Sequence, residues 1–320
     1  NLTKKAEKEM SISLESIQTA RAALIKAASD RTDLPVRFVE DPEKLKSISK
    51  SSKSLNEFAI DNKIRLIELG SFKDEDTYAE IVSLKVELFI VVAFRILPQR
   101  YIDIPKFGAV NIHASILPSY RGAAPIQWAL MNGDKNTGVS IFQIEKKIDT
   151  GKIIYQDKID IFDEDNFETL SNRLSTLGSK SLLKALRGIE LGSAKLSKQD
   201  NSKSTKAPKI TKEMLQIDWS WSGNKINNWI RGLSPWPGMY TLYNKKKLKI
   251  FKVKFVRTTN VEKAGIIHSV RNAGVEVNSG DGLVSILELQ QEGKKRLTIE
   301  EFLKGSDIKV GDYFSNDINT

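Results

Sequence analysis

Glu87-Leu88-Phe89-Ile90-Val91-Val92-Ala93 is continuously apolar after its first residue and β-branched in its middle. That pattern belongs to a strand covered on both faces, not to one with a wet side. Upstream, Tyr78, Ile81 and Leu84 recur at helical spacing, which predicts a helix over residues 74–84. Downstream, residues 125–131 read as a short helix with Pro125 at its first position. A longer helix is predicted over residues 166–191, with Asp163 and Asp165 as cap candidates, an apolar stripe through Phe167, Leu170, Leu174 and Leu177, and Gly192 as its stop. Strand and helix alternate, so the fold class is an open α/β sheet, whose ligands bind beyond the carboxyl ends of the strands.

Next along the chain comes Asn111-Ile112-His113-Ala114-Ser115-Ile116-Leu117-Pro118, followed by Ser119-Tyr120-Arg121-Gly122-Ala123-Ala124-Pro125. Side chains two positions apart in a strand leave the same face, so Asn111 and His113 are expected to point into one space. An amide able to donate to a developing oxyanion, beside an imidazole able to handle a proton near neutral pH, is the minimum equipment for acyl transfer. A plainer alternative stays open, in which His113 is a core histidine satisfied by a carbonyl and Asn111 closes a turn. After the strand-like Gly138-Val139-Ser140-Ile141-Phe142-Gln143 comes Ile148-Asp149-Thr150-Gly151, whose carboxylate can reach His113 and hold it in one tautomer. An Asx-turn role for Asp149 fits the spacing equally well. Arg95-Ile96-Leu97-Pro98 follows the first strand and converges on the same pocket.

The 320 residues are enough for about two domains. Without cysteine there is no disulfide, thiolate nucleophile or cysteine metal ligand, and the two histidines, His113 and His268, are far apart with no carboxylate cluster at ligand spacing. Metal-free chemistry is the expectation. A formal charge of +10 implies attraction to a polyanion, with an ordinary lysine-rich surface as the alternative. The longest apolar run, residues 88–94, is far short of the ~20 that span a bilayer. We also expect no secretory leader, because the N-terminal residues are charged and lack an apolar stretch.

Residues 193–211 change to Ser, Lys, Gln, Asn and Thr with almost nothing to bury, which reads as a linker. Beyond it a short helix is expected over residues 219–230, then strands over 248–256, 265–270, 274–277 and 283–289. In Lys247-Leu248-Lys249-Ile250-Phe251-Lys252-Val253-Lys254-Phe255 the apolar positions change phase between Ile250 and Phe251, which a β-bulge explains. A small β-barrel follows from this. Its Lys245, Lys246, Lys247, Lys249, Lys252 and Lys254 are either phosphate contacts or a solvated strand face.

Residues 111–125, with Gln127, Gly133-Asp134, Thr137-Gly138-Val139 and Ile148-Asp149-Thr150-Gly151, closely resemble the methionyl-tRNA formyltransferase family. The resemblance resumes in Ile217-Asp218-Trp219 and in Ile230-Arg231-Gly232-Leu233-Ser234-Pro235-Trp236-Pro237-Gly238, and so covers about Phe58 to the C-terminus. Asn, His and Asp with a Ser-Leu-Leu-Pro-like turn mark the whole 10-formyltetrahydrofolate-dependent superfamily. Arg-Gly-Ala-Ala-Pro and the block around Trp236 are narrower and favour the tRNA enzyme.

The resemblance implies an open Rossmann-like formyltransferase domain over residues 1–192, a linker over 193–214 and an OB-like tRNA-binding domain over 215–320. It further implies transfer of a formyl group from 10-formyltetrahydrofolate, as co-substrate, to the α-amino group of methionyl initiator tRNA, by a metal-free, membrane-free, cytoplasmic monomer. Asn111 would donate to the oxyanion, His113 would move the proton, and Asp149 would orient His113 and favour its charged form. Ser115, Ile116, Leu117 and Pro118 would form the folate wall, with Ile116 and Leu117 as the apolar surface for the pterin. For tRNA the candidates are Lys46 and Lys50, in a basic stretch that lacks the Gly-Arg-Gly pattern usual there, and Lys245, Lys247 and Lys249. A sugar-nucleotide formyltransferase and a non-catalytic RNA-binding descendant are the competing readings.

The N-terminal side departs from the family. A buried strand leading into a Gly-Thr-Pro-Glu-Phe loop is expected there, and nothing like it precedes Phe58. Residues 11–28 read as an amphipathic helix, and Val36-Arg37-Phe38-Val39 as the second strand. A truncated or frame-shifted reading, a diverged N-terminus and an inactive descendant all fit, and the completeness of the downstream match favours the first.

Overall fold

In the computed structural model, which describes residues 37–40, 65–92, 96–259 and 262–315, the first strands β1 (Arg37–Glu40) and β2 (Arg65–Glu68) pair in parallel. Residues 11–28, expected as a helix, lie outside the described residues. Helix α1 (Glu75–Ser83) starts where Asp74 accepts from the N–H groups of Asp76 and Thr77. Strand β3 (Phe89–Val91), helix α2 (Gln99–Ile102) and strand β4 (Ala109–His113) follow. Next come β5 (Arg121–Gly122), α3 (Pro125–Met131), β6 (Asn136–Gln143), β7 (Ile153–Asp160) and the 24-residue α4 (Phe167–Glu190).

The sheet carrying the expected site has the order β3-β4-β6-β7, parallel between β3 and β4 and antiparallel across the other two pairs. Strand β3 packs on both faces as expected, Ile90 against the core of Val110 and Ile141 and Phe89 against that of Ile67, Leu69, Ile81 and Tyr101, though its three residues stay half-buried. Val110, Ile141, Leu182 and Ala185 form the core between the sheet and α4. Asn166 caps α4, its Oδ1 accepting from Thr169 N at 3.0 Å. Asp165 instead accepts from Phe162 N and from the Thr169 hydroxyl, so the cap falls one residue beyond the nearer candidate. Gly192 follows the helix at φ +65, the left-handed stop its sequence position suggests.

The segment between α4 and the C-terminal sheet carries more structure than its polar composition predicts. Ser197 exchanges both backbone hydrogen bonds with Ile153, and β8 (Lys206–Ala207) pairs in parallel with β5. The chain divides into two compact units. One holds the described residues up to Pro125 with Asn136–Asp160 and Ser171–Lys209; the other holds Ile126–Lys135, Ile161–Leu170 and the described residues from Ile210 onward.

In the second unit Ser222 caps α5 (Gly223–Gly232). The helix therefore begins four residues later than its hydropathy suggests, because Asp218 first turns the chain by accepting from the N–H and hydroxyl of Ser220. Strands β9 (Met239–Tyr243), β10 (Lys246–Val256), β11 (Ile267–Arg271), β12 (Gly274–Asn278) and β13 (Leu283–Gln291) make an antiparallel sheet in the order β11-β12-β13-β10-β9. Strand β14 (Leu297–Thr298) pairs with β13 and runs into α6 (Ile299–Leu303). Pairing of β10 with β13 jumps from Ile250 to Lys252, which leaves Phe251 as the bulged residue where the phase change predicts one. Residues 313–315 then bridge both outer strands, Ser315 to Leu242 of β9 and Tyr313 to Ile266 ahead of β11, and this closes the sheet into a barrel-like domain.

Candidate active site

Strand β4 sorts its side chains by parity. Val110 and Ile112 face the α4 core, which leaves Asn111 and His113 on the opposite face. Register places Asn111 between Val91 and Phe142, and His113 opposite Ser140. His113 is 6% exposed, and its ring meets that of Phe142 edge-on at 6.4 Å. Asn111 Oδ1 is buried without a hydrogen-bond partner. Leaving a buried acceptor unpaired costs ~1–3 kcal/mol, a penalty that a donor on a bound molecule would remove.

An oxygen faces each ring nitrogen of His113. Nε2 lies 2.8 Å from the Tyr120 carbonyl, and Nδ1 lies 3.7 Å from Asp149 Oδ2. A carbonyl can only accept, so Nε2 carries the hydrogen and Nδ1 holds the lone pair of the neutral ring. Asp149, at φ +53, accepts from the Gly122 N–H at 2.9 Å. The tautomer is therefore set by the Tyr120 carbonyl, where the sequence suggested Asp149, and the carboxylate stands on the Nδ1 side as a negative charge. Gly122 has φ +129, and a Cβ there would lie 2.5 Å from the carbonyl oxygen of Ala207, so glycine alone fits between the site and β8.

In the turn after β4, Ser115 is fully buried, its hydroxyl donating to the Ser119 carbonyl at 2.6 Å. Leu117 is 2% exposed, donating through its N–H to Ser140 Oγ and accepting from Gln156 Nε2, each at 3.0 Å. These two residues turn inward, whereas Ile116 and Pro118 are half-buried. Of the four expected folate-wall residues, Ile116 and Pro118 are thus the ones left partly accessible.

Sequence reasoning missed the Tyr120 carbonyl, Ser140 and Gln156. A serine inside an otherwise apolar strand was the one available signal. Arg95, Lys46 and Lys50 lie outside the described residues. Lys245 is exposed in the turn before β10, and Lys247 is exposed with Nζ 4.8 Å from the Tyr240 ring centre. Lys249 is half-buried and donates to the Pro237 carbonyl at 2.9 Å. Among the described residues no group of three or more His, Asp or Glu could hold a metal ion, and no helix is long and apolar enough to cross a membrane.

The two-part chain matches known sequences in both parts. Residues 20–186 fit the profile of the Formyl transferase family, and residues 209–307 that of the Formyl transferase C-terminal domain. The first match begins well before Phe58, where the motifs become readable. Fold and site thus define a formyl-group transferase. Methionyl-tRNA formyltransferase of Caldanaerobacter subterraneus subsp. tengcongensis is 37% identical over 273 residues, covering 85% of this chain and 88% of that one. Its namesake from Thermodesulfovibrio yellowstonii is 38% identical over 295 residues, with 91% and 94% covered. A sugar 3N-formyl transferase, solved in the presence of dTdp and 5-N-formyl-THF, shares the fold with a TM-score of 0.64 at 21% identity, covering 85% of this chain and 95% of that one. The chain belongs to the methionyl-tRNA formyltransferase family.

Proposed function

We propose that the protein transfers the formyl group of 10-formyltetrahydrofolate to the α-amino group of methionine esterified to initiator tRNA, acting as a cytoplasmic monomer in translation initiation. The observation that carries this reading is the buried, unpartnered carboxamide oxygen of Asn111 on the strand face it shares with His113. A half-turn of that carboxamide presents its N–H to the same space. Asn111 then donates to the oxyanion that develops at the formyl carbon as the amine attacks. An α-amino group has a pKa of about 7.7–8.0, so part of it is already neutral at physiological pH. His113 takes the amine proton on Nδ1 and passes it toward the leaving folate nitrogen, while its Nε2–H stays on the Tyr120 carbonyl. Asp149 Oδ2 is the counter-charge beside the imidazolium so formed. Ile116 and Pro118 line the pterin. Lys245 and Lys247, both exposed, meet tRNA phosphates.

The test is formylation by the purified chain of charged initiator tRNA and, in parallel, of an amino-sugar nucleotide. Formylmethionyl-tRNA is the expected product. Transfer to the sugar alone would replace this reading with the sugar-nucleotide one, and tRNA binding without turnover would indicate a non-catalytic descendant.

A further inference from the structure

We propose that Gln199, in the segment between α4 and β8, is a positioning residue for formyl transfer, its one carboxamide holding in place the two oxygen groups that flank His113. This rests on the function proposed above. Gln199 Oε1 accepts from Arg121 Nε at 3.1 Å and from Arg121 Nη2 at 2.6 Å. Its Nε2 donates to the carbonyls of Asp149 at 2.9 Å and Gly151 at 2.8 Å. A carboxamide has two donor hydrogens and two acceptor lone pairs, and here all four are engaged.

The amide therefore ties two stretches that sequence places far apart. On one side is the turn bearing Asp149, which faces Nδ1 of His113. On the other is Arg121, which follows the Tyr120 carbonyl facing Nε2 and precedes the Gly122 N–H bound to the Asp149 carboxylate. Asn201 Oδ1 accepts from Arg121 Nη2 at 2.8 Å, and Thr205 Oγ1 accepts from Tyr120 N at 2.8 Å, so the same segment holds that second stretch at three points. Asp149 is also kept at φ +53, a backbone conformation uncommon outside glycine, and the bond from Gln199 to its carbonyl is part of what keeps it there. Were the network only an anchor for the segment, both Gln199 donors would not need to end on the turn that carries the carboxylate.

The substitution Gln199→Glu preserves size and the Arg121 pairing but sets a carboxylate oxygen against the carbonyls of Asp149 and Gly151. We expect kcat for methionyl-tRNA formylation to fall about 10²-fold, the effect of a misplacement on the order of 1 Å. KM for both substrates and the thermal midpoint should stay near those of the parent chain. In a His113→Ala background the same substitution should have no further effect, because the group it aligns is gone. Turnover close to the parent's, or a loss carried over in full into the His113→Ala background, overturns the proposal. Gln199→Met, similar in volume without donors, gives the same comparison should the glutamate variant not fold; unfolding of both variants makes the amide structural and also overturns it. Failure of the parent chain to formylate methionyl-tRNA would refute the proposed function instead, and the effect of Gln199→Glu would then be read on whichever amine the protein does formylate.

Discussion

Asn111 and His113 owe their pairing to strand parity, a property a reader can count along the chain. If Asn111 is the oxyanion donor, Asn111→Ala should lower kcat by roughly two to three powers of ten, about 2.7–4 kcal/mol, with KM for the formyl donor little changed. Steady-state kinetics at saturating tRNA would show it, and a variant that loses donor binding while keeping turnover would contradict the role. The chain left a carbonyl open as the partner of His113 but did not disclose which one. It is a main-chain oxygen of Tyr120, itself at φ +61, and no pattern of side chains announces a carbonyl. Leu117 illustrates the same limit from the other direction: a leucine reads as apolar surface or as core until the turn fixes which way it points, and here it is core.

At the level of strands and helices, hydropathy carried most of the C-terminal sheet. The phase change at Ile250 and Phe251 was readable because the bulged Phe251 and its neighbour Ile250 are both buried, which breaks the alternation. Strand β9 was not, since Met-Tyr-Thr-Leu-Tyr places a buried polar residue, Thr241, where an apolar one would mark the pattern; its hydroxyl accepts from Trp219 Nε1 at 3.0 Å. The same strand ends on Tyr243, whose phenol is pushed up to about 12 by burial and by its hydrogen bond to Asp312. A folded-state value above the usual 10 means that the Tyr243 contribution is intact below pH 10 and is lost as pH rises toward 12. Equilibrium unfolding should therefore show stability declining over that window, and Tyr243→Phe should make the decline shallower. An identical decline in both proteins would assign it to other groups.

For the molecule as a whole, the excess of positive charge was evident from composition, but where it acts was not. Lys245 and Lys247 are exposed, whereas Lys249 spends its ammonium on the Pro237 carbonyl. Neutralising Lys245 and Lys247 together should therefore flatten the salt dependence of tRNA binding, by about 0.7–0.9 in log–log slope for each phosphate left without its lysine, and should not change which tRNA is preferred. Binding titrations across a salt series measure this, and an unaltered slope would place the phosphate-binding charge on other residues. The two-domain reading came from motifs and strand patterns, while the segment after α4 looked empty because its bonds run through backbone groups and polar side chains, which leave no trace in hydropathy.

Residues 313–315 work as a clasp between the first and last strands of the C-terminal sheet. A chain cut just before Tyr313 would keep every named strand yet bare the N–H and carbonyl of Leu242 on one edge and the carbonyl of Gly265 on the other. Exposed edges of that kind recruit one another. Such a clipped protein should form concentration-dependent oligomers by light scattering, so an affinity tag at the C-terminus needs a spacer that leaves the clasp shut.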